Sequence, residues 1–296
     1  MADGPRKRIL SRKAYSTYSD CPLSFLRQYI RREKPAKPEN KVNAILGNVL
    51  GRLMEAFYNE GLYRRPDALA VLLARSFQVL EAEEADARRS GIVDWSASRE
   101  SRSEVMRLIL ALVPEMIRTI QAHRLIGREA RSEVDLRATV GAWELMGRAD
   151  LVFTRGDQVT IMDGKSSRHR EKYVEEDQLL FYAYLHRLSR GVLPQRLGWM
   201  FYRFSGDMAV DWMVVNDRVV GELEGRVAEV IAGIEALKFP ATPGRDTCRY
   251  CTFRDSCPPR VSWEAERSAA NKKKRGISVP ALIDGGGGVT EMSLED

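Results

Sequence analysis

Ile45, Val49, Leu53 and Phe57 recur every fourth position in NAILGNVLGRLMEAFYNEGLY. That is the spacing of one apolar stripe on a helix. RPDALAVLLARSFQVLEAEEADARR opens on Pro66-Asp67 and runs to Gly91, which predicts a second helix. SRESRSEVMRLILALVPEMIRTIQAHRL predicts a third, with a kink at Pro114. Beyond Gly127 the period shortens. RSEVDLRATV, WELMGRADLVFTRG and QVTIMDGKSS are β-type runs joined by turn residues such as Gly141 and Arg155-Gly156-Asp157. YVEEDQLLFYAYLHRLSRG returns to helical spacing and stops at Gly191. RLGWMFYRFSG and MAVDWMVVN predict further strands, and DRVVGELEGRVAEVIAGIEALKF a closing helix. The order helices, three strands, helix, strands predicts an α/β fold, with no internal repeat. It divides into a basic segment (1–40), a helical region (41–130), a core (131–215) and a helix followed by cysteines (216–260). The tail from Val261 carries KKKRG, DGGGG and an acidic end, a composition expected to be disordered.

Composition narrows the class. In 296 residues, 44% apolar and 30% charged content is that of an ordinary water-soluble chain. No run of 18 apolar residues predicts a membrane span, and MADGPRKRIL has no apolar segment of a secretory signal. The expected location is the cytoplasm. The net charge of +6 suits a polyanionic partner, and GPRKRILSRK, RQYIRREK and NKKKRG are dense in Lys and Arg. Solvated surface charge accounts equally well for each run alone.

The candidate chemistry lies at the end of an apolar strand. Asp163 and Lys165 in QVTIMDGKSS stand two apart and so share one face. The preceding strand supplies Asp150 in MGRADLVF, at a separation that suits a hairpin bringing the two carboxylates together. Adjacent carboxylates repel unless a cation lies between them. Hard oxygen ligands suit Mg²⁺ or Mn²⁺. A lysine beside such a metal can orient or help deprotonate a water, or neutralise charge on a phosphate, as metal-assisted phosphodiester hydrolysis requires. The plain alternative is a strand-end salt bridge, Asp163 with Lys165 or Asp150 with Arg148. Gln178 and Tyr182 in QLLFY lie four apart on one helix face. They either reach a phosphate or the acidic site, or Tyr182 packs in the core and Gln178 lies on the surface.

GRAD, DGK and QLLFY, on strand, strand and helix, together resemble the PD-(D/E)XK nuclease superfamily, and within it the RecB-like branch. The resemblance covers roughly residues 14–260. It implies a restriction-endonuclease-like core, a central mixed sheet flanked by helices, with the helical region as an insertion. It implies that Asp150 and Asp163 bind the metal with help from the Gly164 carbonyl. It also implies that Lys165 is the catalytic lysine and that Gln178 and Tyr182 support the DNA. Glu133 matches an acidic position often present upstream. LGNVLGRLMEAF departs from the pattern: Gly47 is in place, but Gly51 stands where the family usually has a histidine. The metal would then be held more weakly, or by water or Glu55 one turn along, or the site is partly degenerate. His123, His169 and His186 fall outside the motifs and are assigned no role.

The four cysteines form a three-plus-one set, Cys248, Cys251 and Cys257 in DTCRYCTFRDSCP and Cys21 far upstream. In a reducing compartment that spacing suggests metal rather than disulfides. Four thiolates suit a [4Fe–4S] cluster, with zinc as the alternative. The arrangement resembles the iron–sulfur nucleases, the AddB-type helicase–nuclease subunits and the CRISPR-associated exonucleases, and implies a structural clasp between the chain's two ends. The expected function is a metal-dependent DNA nuclease. The family suggests an exonuclease on single-stranded ends, in recombination, repair, phage DNA processing or CRISPR adaptation. No P-loop is present, so unwinding would come from a helicase partner, and an integrase-type partner fits the adaptation setting. The alternatives are a DNA-binding scaffold that no longer cuts, motivated by Gly51, and a zinc-stapled basic protein.

Overall fold

The computed structural model describes residues 8–35, 38–171 and 175–274. The start of the first basic run, Tyr173 and Val174 at the head of an expected helix, and the glycine-rich and acidic end of the chain lie outside them. A six-stranded sheet organises the molecule. Its strands are β1 (Arg8–Ser11), β2 (Arg128–Val140), β3 (Trp143–Arg155), β4 (Gln158–Lys165), β5 (Arg196–Phe201) and β6 (Val210–Met213). β3 is the hub. It runs antiparallel to β2 along its whole length. On its other edge it pairs first with β1, in parallel, and then with β4, antiparallel. β4 and β5 are parallel, joined by the crossover helix α6 described below, and β6 closes the sheet antiparallel to β5. The sheet is therefore mixed, as expected.

Helices cover both faces. α1 (Arg12–Asp20) and α2 (Pro22–Phe25) follow β1, and a π-helical turn, Leu26–Ile30, continues α2. α3 (Val42–Asn59), α4 (Ala68–Ser90) and α5 (Arg102–Ala122) form the helical region, α6 (Glu176–Arg190) and α7 (Asp217–Glu235) the opposite layer. One core joins α3–α5 to Leu151, Phe153, Met162 and Met200 of the sheet. The other joins α1, α6 and α7 to Leu145, Ala149, Ile161 and Trp199. The three expected long helices are present, with α5 starting on a Ser101–Glu104 capping box and continuing through Pro114.

Three features depart from the sequence reading. The basic N-terminal segment contains a strand and helices, anchored because β1 adds to an edge of β3. The tail expected to be disordered from Val261 is helical as far as the description goes, in α9 (Pro258–Lys274), which follows the short helix α8 (Arg245–Arg249). Finally, the strict alternation of a strand breaks in β2 and β3. Ala149 and Leu151 are two apart yet belong to opposite cores, as do Ala130 and Leu136 in β2. Between the latter pair stands Glu133, with φ +56°. A non-glycine residue in the left-handed region is costly and resets which face its neighbours occupy. No helix among the described residues is long and apolar enough to cross a membrane.

Candidate active site

The face inversion lies beside the place where β3 and β4 part. Leu151 and Met162 are the last paired residues of that hairpin. Asp150 and Asp163 are the next residue along each strand, so the two carboxylates meet at the fork, as the hairpin spacing predicted. Asp150 Oδ2 accepts the backbone N–H of Gly164 at 2.8 Å. Asp163 is only 2% exposed. Its Oδ1 accepts from Gln178 Nε2 at 2.6 Å. Lys165 Nζ forms an ion pair with Oδ2 at 2.7 Å. Lys165 Nζ also donates to Gln178 Oε1 at 2.9 Å. The two ends of one amide thus hold the acid and the base in fixed relation.

Gln178 and Tyr182 lie one turn apart on α6, 7% and 5% exposed, and Gln178 Nε2 also contacts the Tyr182 hydroxyl at 3.2 Å. A surface Gln178 is therefore excluded. Tyr182 does pack in the core: a Cβ at Gly147 would come within 2.9 Å of its ring. Of the two salt bridges considered from sequence, Asp163–Lys165 forms. Asp150–Arg148 does not, because Arg148 pairs with Asp135 at 2.8 Å and lies 3.8 Å from Glu133.

The electrostatics are those of crowded acids. Burial and then the charge of Asp163 push the Asp150 carboxyl well above the usual range. Burial also raises Asp163, against the pull of Lys165. Glu133, raised mainly by burial, adds a third negative group beside Asp150. Both aspartates cannot hold their charge in this setting without a compensating cation. Burial pushes the Tyr182 hydroxyl up to about 12.

Several neighbours carried no recognisable signal in the sequence. Tyr202, after β5, is buried with its hydroxyl on Met54 Sδ at 3.4 Å. A Cβ at Gly164 would fall 2.1 Å from that hydroxyl, so the middle position of the Asp-Gly-Lys run has room for glycine alone. Arg12, at the start of α1, pairs with Glu175 at 3.0 Å and favours the charged form of Asp163. Glu100 binds both Arg168 and Arg203, at 2.6 and 2.8 Å, and Arg203 donates to Ser166 O at 2.7 Å, clamping the loop after Lys165. On α3, Gly47 lies against Ser166, while a Cβ at Gly51 would meet nothing within 4 Å. Glu55, one turn on, is held by Arg52 at 3.1 Å.

The four cysteines are free of disulfides and partly exposed. All of them line one cleft of about 880 Å³, between the α1–α2 corner and the α8–α9 segment. Non-cysteine contacts already tie these segments together. Leu23 N bonds to Pro240 O at 3.1 Å, Thr242 Oγ1 to Asp20 O at 2.5 Å, and Arg27 stacks on Phe253 at 4.3 Å. Among the described residues, no group of three or more His, Cys, Asp or Glu side chains is gathered closely enough to hold a metal ion, here or at the fork.

Residues 9–258 match the PD-(D/E)XK nuclease superfamily. A solved candidate exonuclease from Eubacterium rectale aligns at TM-score 0.50 and 9% identity, over 86% of this chain and 88% of that one. SSO0001 aligns over 88% of this chain and 90% of its own at 13% identity, but its TM-score of 0.37 carries no argument. No curated protein matches. Identities this low speak for the fold alone. The family match takes in every strand and helix that meets at the fork, and on that ground the chain belongs to the PD-(D/E)XK nuclease superfamily.

Proposed function

We propose that this chain is a RecB-like, metal-dependent DNA nuclease that degrades single strands from an end. The observation that supports this most is Asp163. One of its oxygens is bonded to Gln178, while the other is buried and faces the Lys165 ammonium at 2.7 Å, next to a second acid whose ionisation is opposed. PD-(D/E)XK nucleases generally use divalent ions such as Mg²⁺ or Mn²⁺, and this all-oxygen, charge-rich donor set fits such an ion. Asp150 and Asp163 would hold it, with the Gly164 carbonyl nearby, and it would supply Lewis-acid activation of water and charge neutralisation at phosphate. The chain's own residues do the rest. Lys165 positions the attacking water or offsets charge on the phosphate. Gln178 keeps Lys165 and Asp163 in register. Tyr182 packs beneath them and caps the Gln178 amide.

The test is degradation of labelled single strands with Mn²⁺, free-ended against end-blocked. Loss of free-ended strands by the wild type, abolished in Asp163→Ala, is expected. A second reading, a DNA-binding scaffold, is favoured by the open space at Gly51 and by the lack of a gathered three-ligand group. It wins if neither protein cuts while both bind. Partners of a helicase or integrase type fit either reading.

We also propose that Cys21, Cys248, Cys251 and Cys257, which line one cleft though they are not gathered as a ligand group among the described residues, are the thiolates of a [4Fe–4S] cluster. Metal binding there would add to folding energy by joining distant segments. Anaerobically purified protein should contain iron and absorb broadly near roughly 400 nm. Zinc alone in metal analysis would overturn the cluster and leave the nuclease reading standing.

A further inference from the structure

At the end of the β3–β4 hairpin away from the fork lies a second pocket, of about 150 Å³. Its polar wall is one-sided. Arg124, Arg155, Arg196 and His123 line it together with Thr160 and Trp212, and no carboxylate does. Among the described residues none of the three arginines forms an ion pair. This contrasts with the arginines around the fork, where Arg12, Arg148, Arg168 and Arg203 are all neutralised by acids. Like charges gathered without counter-charge repel and cost stability unless an anion joins them.

Three further observations show that the pocket is built rather than accidental. Thr160, only 2% exposed, is one of the residues lining this pocket. Arg196 is laid flat on Trp212, its guanidinium 3.8 Å from the ring centroid, which fixes a group that would otherwise be mobile. Arg124 follows α5 with φ +54°, at a helix end where glycine is the usual residue. The helix end closes regardless, through Leu125 N to Ile120 O at 2.8 Å. The arginine in this position lines the pocket.

We propose that this pocket binds a phosphate group. Arginine forks match phosphate oxygens, a threonine hydroxyl supplies a neutral donor, and the volume admits a tetrahedral anion. Thr160 is three residues before Asp163 on β4, roughly 10 Å along the strand, so a phosphate here is not the one being hydrolysed. The phosphate comes either from a nucleic-acid strand or from a free small molecule. The proposal stands apart from catalysis and is tested without metal.

Inorganic phosphate is titrated calorimetrically into the full chain in EDTA at constant ionic strength, followed by 5′-phosphorylated and 5′-hydroxyl single strands. The wild type should bind phosphate saturably, and Arg155→Gln and Arg124→Gly should weaken it about tenfold or more. Arg124→Gly relieves the backbone and should melt no lower than wild type, so its loss of affinity cannot be misfolding. If the variants also weaken strand binding, the phosphate belongs to nucleic acid. If phosphate binding alone falls, it belongs to a small molecule. Absence of saturable phosphate binding, or binding unchanged in both variants, overturns the proposal.

Discussion

At the scale of single residues, the fork is held by an amide and a missing side chain. Among the described residues Gln178 is the one side chain hydrogen-bonded to both Asp163 and Lys165, so Gln178→Ala removes that bridge and leaves their ion pair alone to set their relation. Under the nuclease reading its cutting rate should fall about 10- to 100-fold, the usual cost of losing a group that orients ligands, while strand affinity in EDTA stays near wild type. Single-turnover rates beside binding curves separate the two. Gly164 makes a different demand. Its Cα approaches a fully packed Tyr202 so closely that one methyl cannot enter without displacing the ring. Gly164→Ala should destabilise by about 2 kcal/mol, read as a melting temperature several degrees lower. An unchanged melting temperature would show that Tyr202 moves freely. The Asp-x-Lys spacing was legible in the sequence, and so was the shared helix face of Gln178 and Tyr182. The identity of the middle residue was legible, but its reason was not, because Tyr202 approaches it from β5 across the sheet.

At the scale of elements, the loop after β4 depends on a clamp from the helical region. Burial would push the Glu100 carboxyl up, but Arg168 and Arg203 outweigh it and hold it below its ordinary value of 4.5. A carboxylate lowered in the fold stabilises above its unfolded value, and that contribution is lost as pH falls through the native one. Glu100→Gln should therefore cost about 1 kcal/mol at neutral pH, allowing for solvent screening. The gap between variant and wild type should close as pH drops below about 4.5. Denaturant melts at pH 7 and below pH 4 check both halves of the statement. The long helices were legible because each buries one stripe: Ile45, Val49, Leu53 and Phe57 all lie in one core. β1 was not, since four residues, RILS, carry too short a pattern, and only the free edge of β3 makes them a strand. The face inversion was also hidden. Glu133 reads as an ordinary strand residue, and its left-handed backbone is imposed by the two cores that β2 must serve.

At the scale of the whole molecule, two cores share one sheet, and the fork lies where the strands separate between them. α9 contributes to neither core, and its residues from Glu264 to Asn271 are exposed. A chain ending at Glu264 should melt within about a degree of the full one, since among the described residues it loses almost no buried surface; a larger drop in calorimetry would mean that the helix covers something essential. The sequence by itself determined the helices and strands of the core, the acids, lysine and glutamine that gather at the fork, and the match to a nuclease family. Those features depend on spacing along the chain, which periodicity records directly. Only the tertiary structure decided that the basic N-terminus adds a strand, that four distant cysteines line one cleft, and that three arginines from a helix end, a hairpin and a strand start share one pocket. Such groupings join residues far apart in sequence, and the contacts that bring them together exist only once the cores have packed.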